Sequence, residues 1–512
     1  MSQTKHQSET MASPEIRERV TQIALRRGIF FPAAELYSPI AGVYDLGPVG
    51  KAVKERIIKL WRSIFIERNG FLELETSFIL SEPVLKASGH LDHFTDPITT
   101  CRFCGSKFRA DHLLEDQGFN TAGKTVDEIN SFLKQSNIKC PVCGKNGFTD
   151  ISFFNLMFKT NIGPAEGNPG YLRPETAQGI YLAFPRLFRV YGKLPLALGQ
   201  VGKSFRNEIS PRQGFLRLRE FTQMELEYFF DPANPEPPKG FEKLKDKKIP
   251  ILTHEIQLKT RELEGKTKES KIEIKPEFIS LQEIVDRGMA NKIMAYFLGL
   301  TYELYERCGI ADKLWFRHLF NDEIPHYSGG NFDPEVETSY GRIELAGIAY
   351  RTDYDLKSHS QLSGKDLSIA LPDGRKIIPH VVEPSLGVER LLWAILEHSY
   401  RPKDEIHDWE WFDLPPELSP YDVAVFPLMK KDGLAEKAQE ITSYLREQGL
   451  TVLYDESGSI GKRYARADEI GMKWAVTVDY DTLKDNTVTL RDRNTAKQIR
   501  IRMDEIKEKV KR

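Results

Sequence analysis

Residues Ser204–Phe229 read SFRNEISPRQGFLRLREFTQMELEYF, and both ends of this stretch have the composition of β-strands. Successive side chains of a strand point to opposite faces, so Arg206 and Glu208 share one face of the first strand. On the returning strand Arg219, Phe221, Gln223, Glu225 and Glu227 share a face, while Thr222, Met224, Leu226 and Tyr228 take the other. Ser210-Pro211-Arg212-Gln213-Gly214 between them is a turn-rich loop. A face that carries arginines, carboxylates and one aromatic ring suits a polar ligand better than a core. Arg206 offers a fork of donors for phosphate or carboxylate, and Phe221 offers a flat surface for a purine.

A second arginine, Arg390 in EPSLGVER (383–390), follows a strand and falls in the first turn of a helix, where Gly387 lets a ligand approach the backbone. A base held between Phe221 and Arg390 would be sandwiched. Glu175, Glu225 and Glu383 lie in apolar or Pro/Gly-containing contexts. Carboxylates gathered near an arginine-lined site suit a substrate with an ammonium group. Taken singly, each arginine reads as a surface ion pair and Phe221 as a core residue; the joint occurrence favours a site. The Gly-Lys-Ser of GQVGKSF (199–205) is not a phosphate-binding P-loop, because position 197 is alanine where that pattern needs glycine, and a strand follows.

With 512 residues, 40% hydrophobic and 29% charged, the chain suits a soluble globular protein of two to four domains. A formal net charge of -2 excludes a strongly basic nucleic-acid binder, so contact with nucleic acid rests on local surfaces. No run approaches the roughly 18 apolar residues of a membrane helix. The first residues lack the apolar centre of a signal peptide, and Glu9, Glu15 and Glu18 are residues that transit peptides avoid. A cytoplasmic protein without membrane partners is the expectation. Ser13-Pro14-Glu15 reads as a helix start and Gly28 as its end.

Four of five cysteines form two pairs, Cys101/Cys104 in CRFC and Cys140/Cys143 in CPVCG. Four thiolates at this spacing satisfy tetrahedral zinc, with TVDEINSFLKQSN (125–137) inserted as a helix between the two turns; four free thiols is the plainer alternative. Cys308 reads as a packed helix residue. VGKAVKERIIKLWRSIFIERNG (49–70) carries an apolar stripe at Val53, Ile57, Leu60, Ile64 and Phe65, and FLELETSFILSEP follows as a strand. DPANPEPPKGFEKLKDKKIP, from Asp231, reads as an excursion from the core. Helices then recur over 279–309, followed by strands GRIELAGIAYR and KIIPHVVEPS and a buried helix GVERLLWAILEHSY. WFDLPPELSP (411–420) is a linker. The strand–helix alternation beyond it predicts a small α/β domain with a mostly parallel sheet.

These motifs resemble the class II aminoacyl-tRNA synthetases, most closely the homodimeric glycyl-tRNA synthetases. Motif 1 is the helix and strand ending FILSEP, with Pro83 at its close; motif 2 is FRNEISPRQGFLRLREFTQME; motif 3 is EPSLGVER. VLKASGH, FNLMFKT, YLRPETAQGI and GIAYRTDYDL are also typical of glycyl enzymes, and the resemblance covers nearly the whole chain. It implies an α+β fold, with an antiparallel sheet flanked by helices over residues 1–415. Within that domain, 101–150 is a zinc-ribbon-like insertion and 231–290 a charged, proline-rich one. An anticodon-binding domain occupies 418–512.

The implied activity is ligation of glycine to tRNA(Gly) with ATP and magnesium, through glycyl-adenylate and pyrophosphate. The resemblance assigns Arg206, Glu208 and Arg390 as catalytic. Asn207, Arg217, Leu218, Arg219, Glu220, Phe221 and Leu345 would join them around ATP, with Glu344 also holding magnesium. Arg109, Glu175, Phe221, Gln223, Glu225, Glu383 and Ser385 would surround glycine. Synthetases for threonine, proline or histidine, and non-catalytic relatives that only bind nucleic acid, are the competing expectations; RPETAQG and the retained arginine–glutamate set argue against them.

Overall fold

The alternation over Glu220–Phe230 decides where the sheet stands. Met224, Leu226 and Tyr228 are buried on one face, and Gln223, Glu225 and Glu227 are buried on the other, so the strand is covered on both sides. The structure, a computed structural model, describes residues 13–115, 119, 121, 124–164, 167–209, 211, 214–264, 275–324 and 328–510. Its centre is a ten-stranded sheet in the order Glu277–Ser280, Lys248–Leu252, Leu314–His318, Asn331–Thr338, Ala346–Thr352, His380–Gly387, Glu220–Phe230, Leu196–Phe205 and Leu72–Glu73, with Gly341–Glu344 paired to Asn331–Thr338. Pairing is antiparallel except between Leu196–Phe205 and Leu72–Glu73, and between Lys248–Leu252 and Leu314–His318.

Three helices cover the apolar face: Pro48–Trp61, Lys292–Arg307 and Val388–Ser399. The stripe Val53, Ile57, Leu60, Ile64 and Phe65 is buried throughout. Each such side chain contributes about 1.5–3 kcal/mol relative to exposure. The first of these helices continues into a π-helical turn at Arg62–Glu67, which puts Ile64, Phe65 and Ile66 all inside. The helix Lys292–Arg307 starts where the Asn291 side chain accepts the Met294 N–H at 2.8 Å, and Cys308 is buried just beyond its end. The N-terminal helix spans Ser13–Arg26, and Gly28 turns out of it with φ +60°.

Several expectations need correction. The hairpin strands stop at Phe205 and resume at Glu220; Arg206, Glu208 and Arg219 therefore belong to the loop and not to a strand face. The loop is closed at its base by the Arg206 N–H donating to the Arg219 carbonyl at 2.9 Å. FLELETSFILSEP is two short strands in different sheets, since Ile79–Ser81 pairs with Pro169–Leu172. GRIELAGIAYR is likewise two strands, Gly341–Glu344 and Ala346–Thr352. The stretch 231–290 is only partly an excursion. Lys248–Leu252 and Glu277–Ser280 extend the main sheet, with Ile249, Ile251 and Ile279 in the core, because an apolar run lies behind the lysines. Residues 265–274 lie outside those described.

The C-terminal unit has its own core around Val425, Ile441, Leu445 and Val476. Its sheet order is Val452–Tyr454, Val423–Pro427, Trp474–Val478, Thr487–Asp492, Gln498–Arg502. The first three strands are parallel, but the last two form an antiparallel hairpin, so the sheet is mixed and not mostly parallel. Arg26 and Arg27 reach Glu469, and Arg493 reaches Asp413 at 2.7 Å, joining this unit to the rest. Among the described residues no helix is long and apolar enough to cross a membrane.

Candidate active site

The polar face of the central sheet opens into a cleft of about 250 Å³. Antiparallel pairing sets Glu225 beside Ser385, and Ser385 beside Gly347, so three strands contribute to one row. Backbone register, and not sequence proximity, assembles the site.

One end of the cleft is a buried cluster of carboxyls. Oxygens of Glu225, Glu227 and Glu383 lie within 4.8 Å of one another. Burial raises all three, and Glu383 is pushed up to about 8, against the opposing pull of Arg351 and with the charges of Glu225 and Glu175 adding to the rise. Tyr181 donates to one oxygen of Glu227 at 2.9 Å. The other oxygen meets no donor, and after burial the neighbouring charge of Glu383 favours the protonated form of Glu227 most. Thr176 donates to Glu225.

Arg351 is the counter-charge. Its guanidinium forks onto Asp355 at 2.9 and 3.0 Å and reaches Glu383 at 2.9 Å. Gln178 donates to Glu175 at 2.9 Å and to Asp355 at 3.0 Å, and its own oxygen lies 2.9 Å from His359 Nε2. Burial works against the charge of Glu175, but His90, Arg351 and Gln178 hold its carboxyl below the usual range. The pocket thus sets one carboxyl whose surroundings favour the ionised form beside three whose burial favours the protonated form.

The other end is built from arginines. The Arg206 guanidinium sits 5.1 Å from the Phe221 ring centre and 5.3 Å from that of Phe94, with its Nε donating to the Pro174 carbonyl. Arg217 donates to Glu208 at 2.7 Å. Arg390 donates to the carbonyls of Leu216 and Glu344. Asp333, on the same sheet, is pushed up to about 7 by burial and then by Glu344. Arg317 pairs with Asp333 at 3.3 Å, and Asp333 and Glu344 set two carboxyls near the arginine end of the cleft.

Residues 158–399 match the tRNA synthetase class II core domain (G, H, P, S and T), and residues 422–512 match the anticodon binding domain. The chain is 40% identical to the glycine--tRNA ligase of Methanocaldococcus jannaschii, over 96% of this chain and 98% of that one. It is 39% identical to that of Aeropyrum pernix (97% of each) and 40% identical to that of Methanothrix thermoacetophila (95% of each).

The chain belongs to the glycine--tRNA ligases.

Against the expectations for such a ligase, the cleft gathers most of the residues named above. Glu175, Gln223, Glu225, Glu383 and Ser385 stand at the carboxyl end. Gln223 donates to Ser385 at 3.2 Å and accepts from Ser204. Arg206, Glu208, Arg217, Leu218, Phe221 and Arg390 line the other end, and Glu344 and Leu345 close it. Four expected residues are not on the cleft wall. Arg109 pairs with Asp96 at 3.2 Å and with Asp111, and Asp96 lies 3.8 Å from Arg217; Arg109 thus stands with the arginines and not with the carboxyl cluster. Asn207 uses its N–H on the Leu156 carbonyl. Glu220 pairs with Lys203 at the surface. Arg219 spans loops, donating to the carbonyls of Glu208 and Ala41.

The residue reading missed the supports of this ligase site: Arg351, Asp355, Gln178 and the buried trio Lys54, Thr222 and Glu389. Glu389 accepts from Lys54 and from the N–H of Thr222, both at 2.7 Å. Only Glu227 had a signal, its alternation with Glu225.

The cysteines form two matching turns. Cys101–Cys104 closes with the Gly105 N–H donating to the Cys101 carbonyl, and Cys140–Cys143 closes with the Gly144 N–H donating to the Cys140 carbonyl, both at 2.9 Å. Gly105 and Gly144 have φ of +73° and +72°, which a side chain would strain. Sulfurs of Cys101 and Cys143, and of Cys104 and Cys140, are 3.6 Å apart, close to the roughly 3.8 Å edge that Zn–S bonds of about 2.3 Å give a tetrahedron. The helix Val126–Gln135 lies between them, opened by a Thr125–Glu128 capping box.

Proposed function

We propose that the carboxyl end of the cleft binds the ammonium group of glycine and the arginine end binds ATP. The chain is an ATP-dependent ligase of class II that joins glycine to tRNA. The observation that carries the site assignment is the buried cluster Glu225, Glu227 and Glu383, short of positive charge, facing a cleft whose other end is arginine-lined.

A bound ammonium supplies the cation that the cluster lacks. It leaves the glycine carboxylate directed toward Arg206, where an oxygen attacks the α-phosphorus of ATP and the bond to pyrophosphate breaks. The carboxylate is already nucleophilic, so this step needs no general base. Arg206 stabilises charge on the α-phosphate, and Arg217 and Arg390 take the outer phosphates. Phe221 packs on the adenine; its face toward Arg206 is covered by that guanidinium, and Arg390 would cover the base from the other side. Glu344, with Asp333 beside it, would hold magnesium, which neutralises phosphate charge when bound. In the second step the terminal ribose hydroxyl of tRNA(Gly) attacks the glycyl carbonyl and AMP leaves. A side chain on the substrate would have to lie among Glu225, Glu383 and Arg351, with no apolar wall to accept it.

Amino-acid-dependent ATP–pyrophosphate exchange with glycine, alanine, serine, threonine and proline tests the assignment. Exchange with glycine alone is expected, and exchange with a larger amino acid would overturn the pocket. A second expectation concerns pH. Glu383 holds its proton up to about 8 in the free protein, and an ammonium ligand favours the ionised form, so binding releases a proton below that pH. KM for glycine should therefore fall as pH rises from about 6 to about 8, by at most tenfold per unit, and level off above. A flat profile would contradict the role given to this cluster.

Domains extending over 1–415 and 418–512 fit the two cores, the second reading the anticodon. The four cysteines would hold structural zinc, and their thiol state suits the cytoplasm. Atomic emission should find about one zinc per chain. Cys140→Ser should lose it and open 101–150 to protease, whereas metal-free wild type with an intact 101–150 would exclude the zinc reading. Homodimerisation is supported by a groove lined by Leu80, Val84, Ala183 and Leu362 and flanked by the exposed side chains of Ile79 and Leu182. Leu182→Glu should halve the sedimenting mass if that groove receives the second copy.

A further inference from the structure

Residues 34–41 are exposed one after another, at the tip of the loop between the short strands Phe30–Pro32 and Tyr44–Leu46. Three of them are large and apolar: Leu36 is 96% exposed, Tyr37 84% and Ile40 59%. Single exposed apolar residues are ordinary; three on one tip form a contact surface.

The base of this loop is anchored. The Arg219 N–H donates to the Gly42 carbonyl at 2.8 Å, and its guanidinium donates to the Ala41 carbonyl at 2.5 Å and to the Glu208 carbonyl at 2.8 Å. Gly42 has φ +75°, and a Cβ there would lie 2.6 Å from Pro211 and 3.2 Å from the Arg217 carbonyl, so the two loops touch backbone to backbone. Behind the tip, Phe30 and Tyr44 pack on Phe215 with ring centres 4.5 and 5.8 Å apart, and Phe215 is a wall of the cleft. The base of the loop is therefore held at the cleft rim, beside Arg217, and the apolar tip projects from it.

We propose that the tip Leu36–Ile40 is a stacking surface for the unpaired 3′ nucleotides of tRNA as the terminal ribose enters the cleft. This rests on the reading that the cleft is where glycine is activated. Glycine has no apolar surface to offer, and the one flat part of ATP is served by Phe221 within the cleft. The remaining substrate is a single strand that must cross this rim, and unpaired bases stack on tyrosine and apolar side chains without regard to sequence. A second copy of the chain is the other conceivable occupant, but the groove by Leu80 and Ala183 already offers one.

The test uses the full chain with Tyr37→Ala, Tyr37→Phe and the double variant Leu36→Ser/Ile40→Ser. Glycine-dependent exchange without tRNA should stay within about twofold of wild type, since no tip residue lines the cleft. The kcat/KM for tRNA in aminoacylation should fall about tenfold in Tyr37→Ala and recover in Tyr37→Phe. A tRNA shortened by its unpaired 3′ nucleotides should inhibit wild type and Tyr37→Ala equally. Unchanged aminoacylation would overturn the proposal, as would a parallel loss of exchange or a loss of dimer mass. Wild-type exchange with glycine, read in the same assay, checks the underlying reading separately, so the two failures cannot be confused.

Discussion

Arg206→Ala lowers glycine-dependent ATP–pyrophosphate exchange by about a thousandfold, the upper range for removing one positioned donor to developing charge. The guanidinium is held between the rings of Phe94 and Phe221 and tethered to the Pro174 carbonyl, which aims it into the cleft before substrate arrives. Among the described residues it makes no ion pair with a carboxylate, so its removal leaves no buried charge behind. Stability should change by about 1 kcal/mol or less, which keeps the loss attributable to chemistry. Arg206→Lys keeps the charge without the planar fork and should recover only part of the rate. The effect should fall mainly on kcat; exchange within tenfold of wild type would remove Arg206 from the reaction centre.

Arg351→Ala is expected to be the most destabilising substitution near the site. Its guanidinium is buried and answers Asp355, Glu383 and the more distant Glu175. Truncation strands the Asp355 carboxylate in the interior and removes the guanidinium from Glu383 and Glu175, which costs about 3–5 kcal/mol, a large part of the 5–15 kcal/mol that ordinarily holds a protein folded. Lysine cannot fork onto Asp355 while reaching Glu383, so Arg351→Lys should remain well below wild type. Asp355→Asn on the Arg351→Ala background should restore part of the loss, because it removes the stranded charge. Urea unfolding measures all three. A shift worth about 1 kcal/mol or less in Arg351→Ala would mean that the carboxyls protonate instead and that the pair matters little to the fold.

What was legible in the sequence follows physical periodicity. The hairpin was legible because Thr222, Met224, Leu226 and Tyr228 alternate with Gln223, Glu225 and Glu227. The helix Pro48–Trp61 was legible because its stripe has a period of 3.6. The C-terminal unit announced itself through alternating strands and helices; its last antiparallel hairpin, Thr487–Asp492 with Gln498–Arg502, does carry a period-two pattern in Val488, Leu490, Ile499 and Ile501, but the strand–helix alternation before it pointed to further parallel strands. The strands at 248–252 and 277–280 were hidden for a related reason: lysines and prolines dominate their surroundings. At the site, residues that face ligand stood out as charges in the wrong place. Residues that brace those charges did not. Gln178 and Arg351 lie 173 positions apart in the chain and both bond to Asp355, a relation set by the packing of the helix Ala177–Tyr191 against the helix Tyr354–Ser363.

Arg219 has one more implication. Its backbone and side chain hold together the segments around Ala41, Gly42 and Glu208, which are otherwise loops free to sample many shapes. A loop that orders only when substrate binds loses conformational entropy in every catalytic cycle, and binding energy is consumed in restoring it. Here the contacts of Arg219 tie Ala41, Gly42 and Glu208 together when the chain folds, so the entropy cost of joining these segments is met in folding and not during substrate binding.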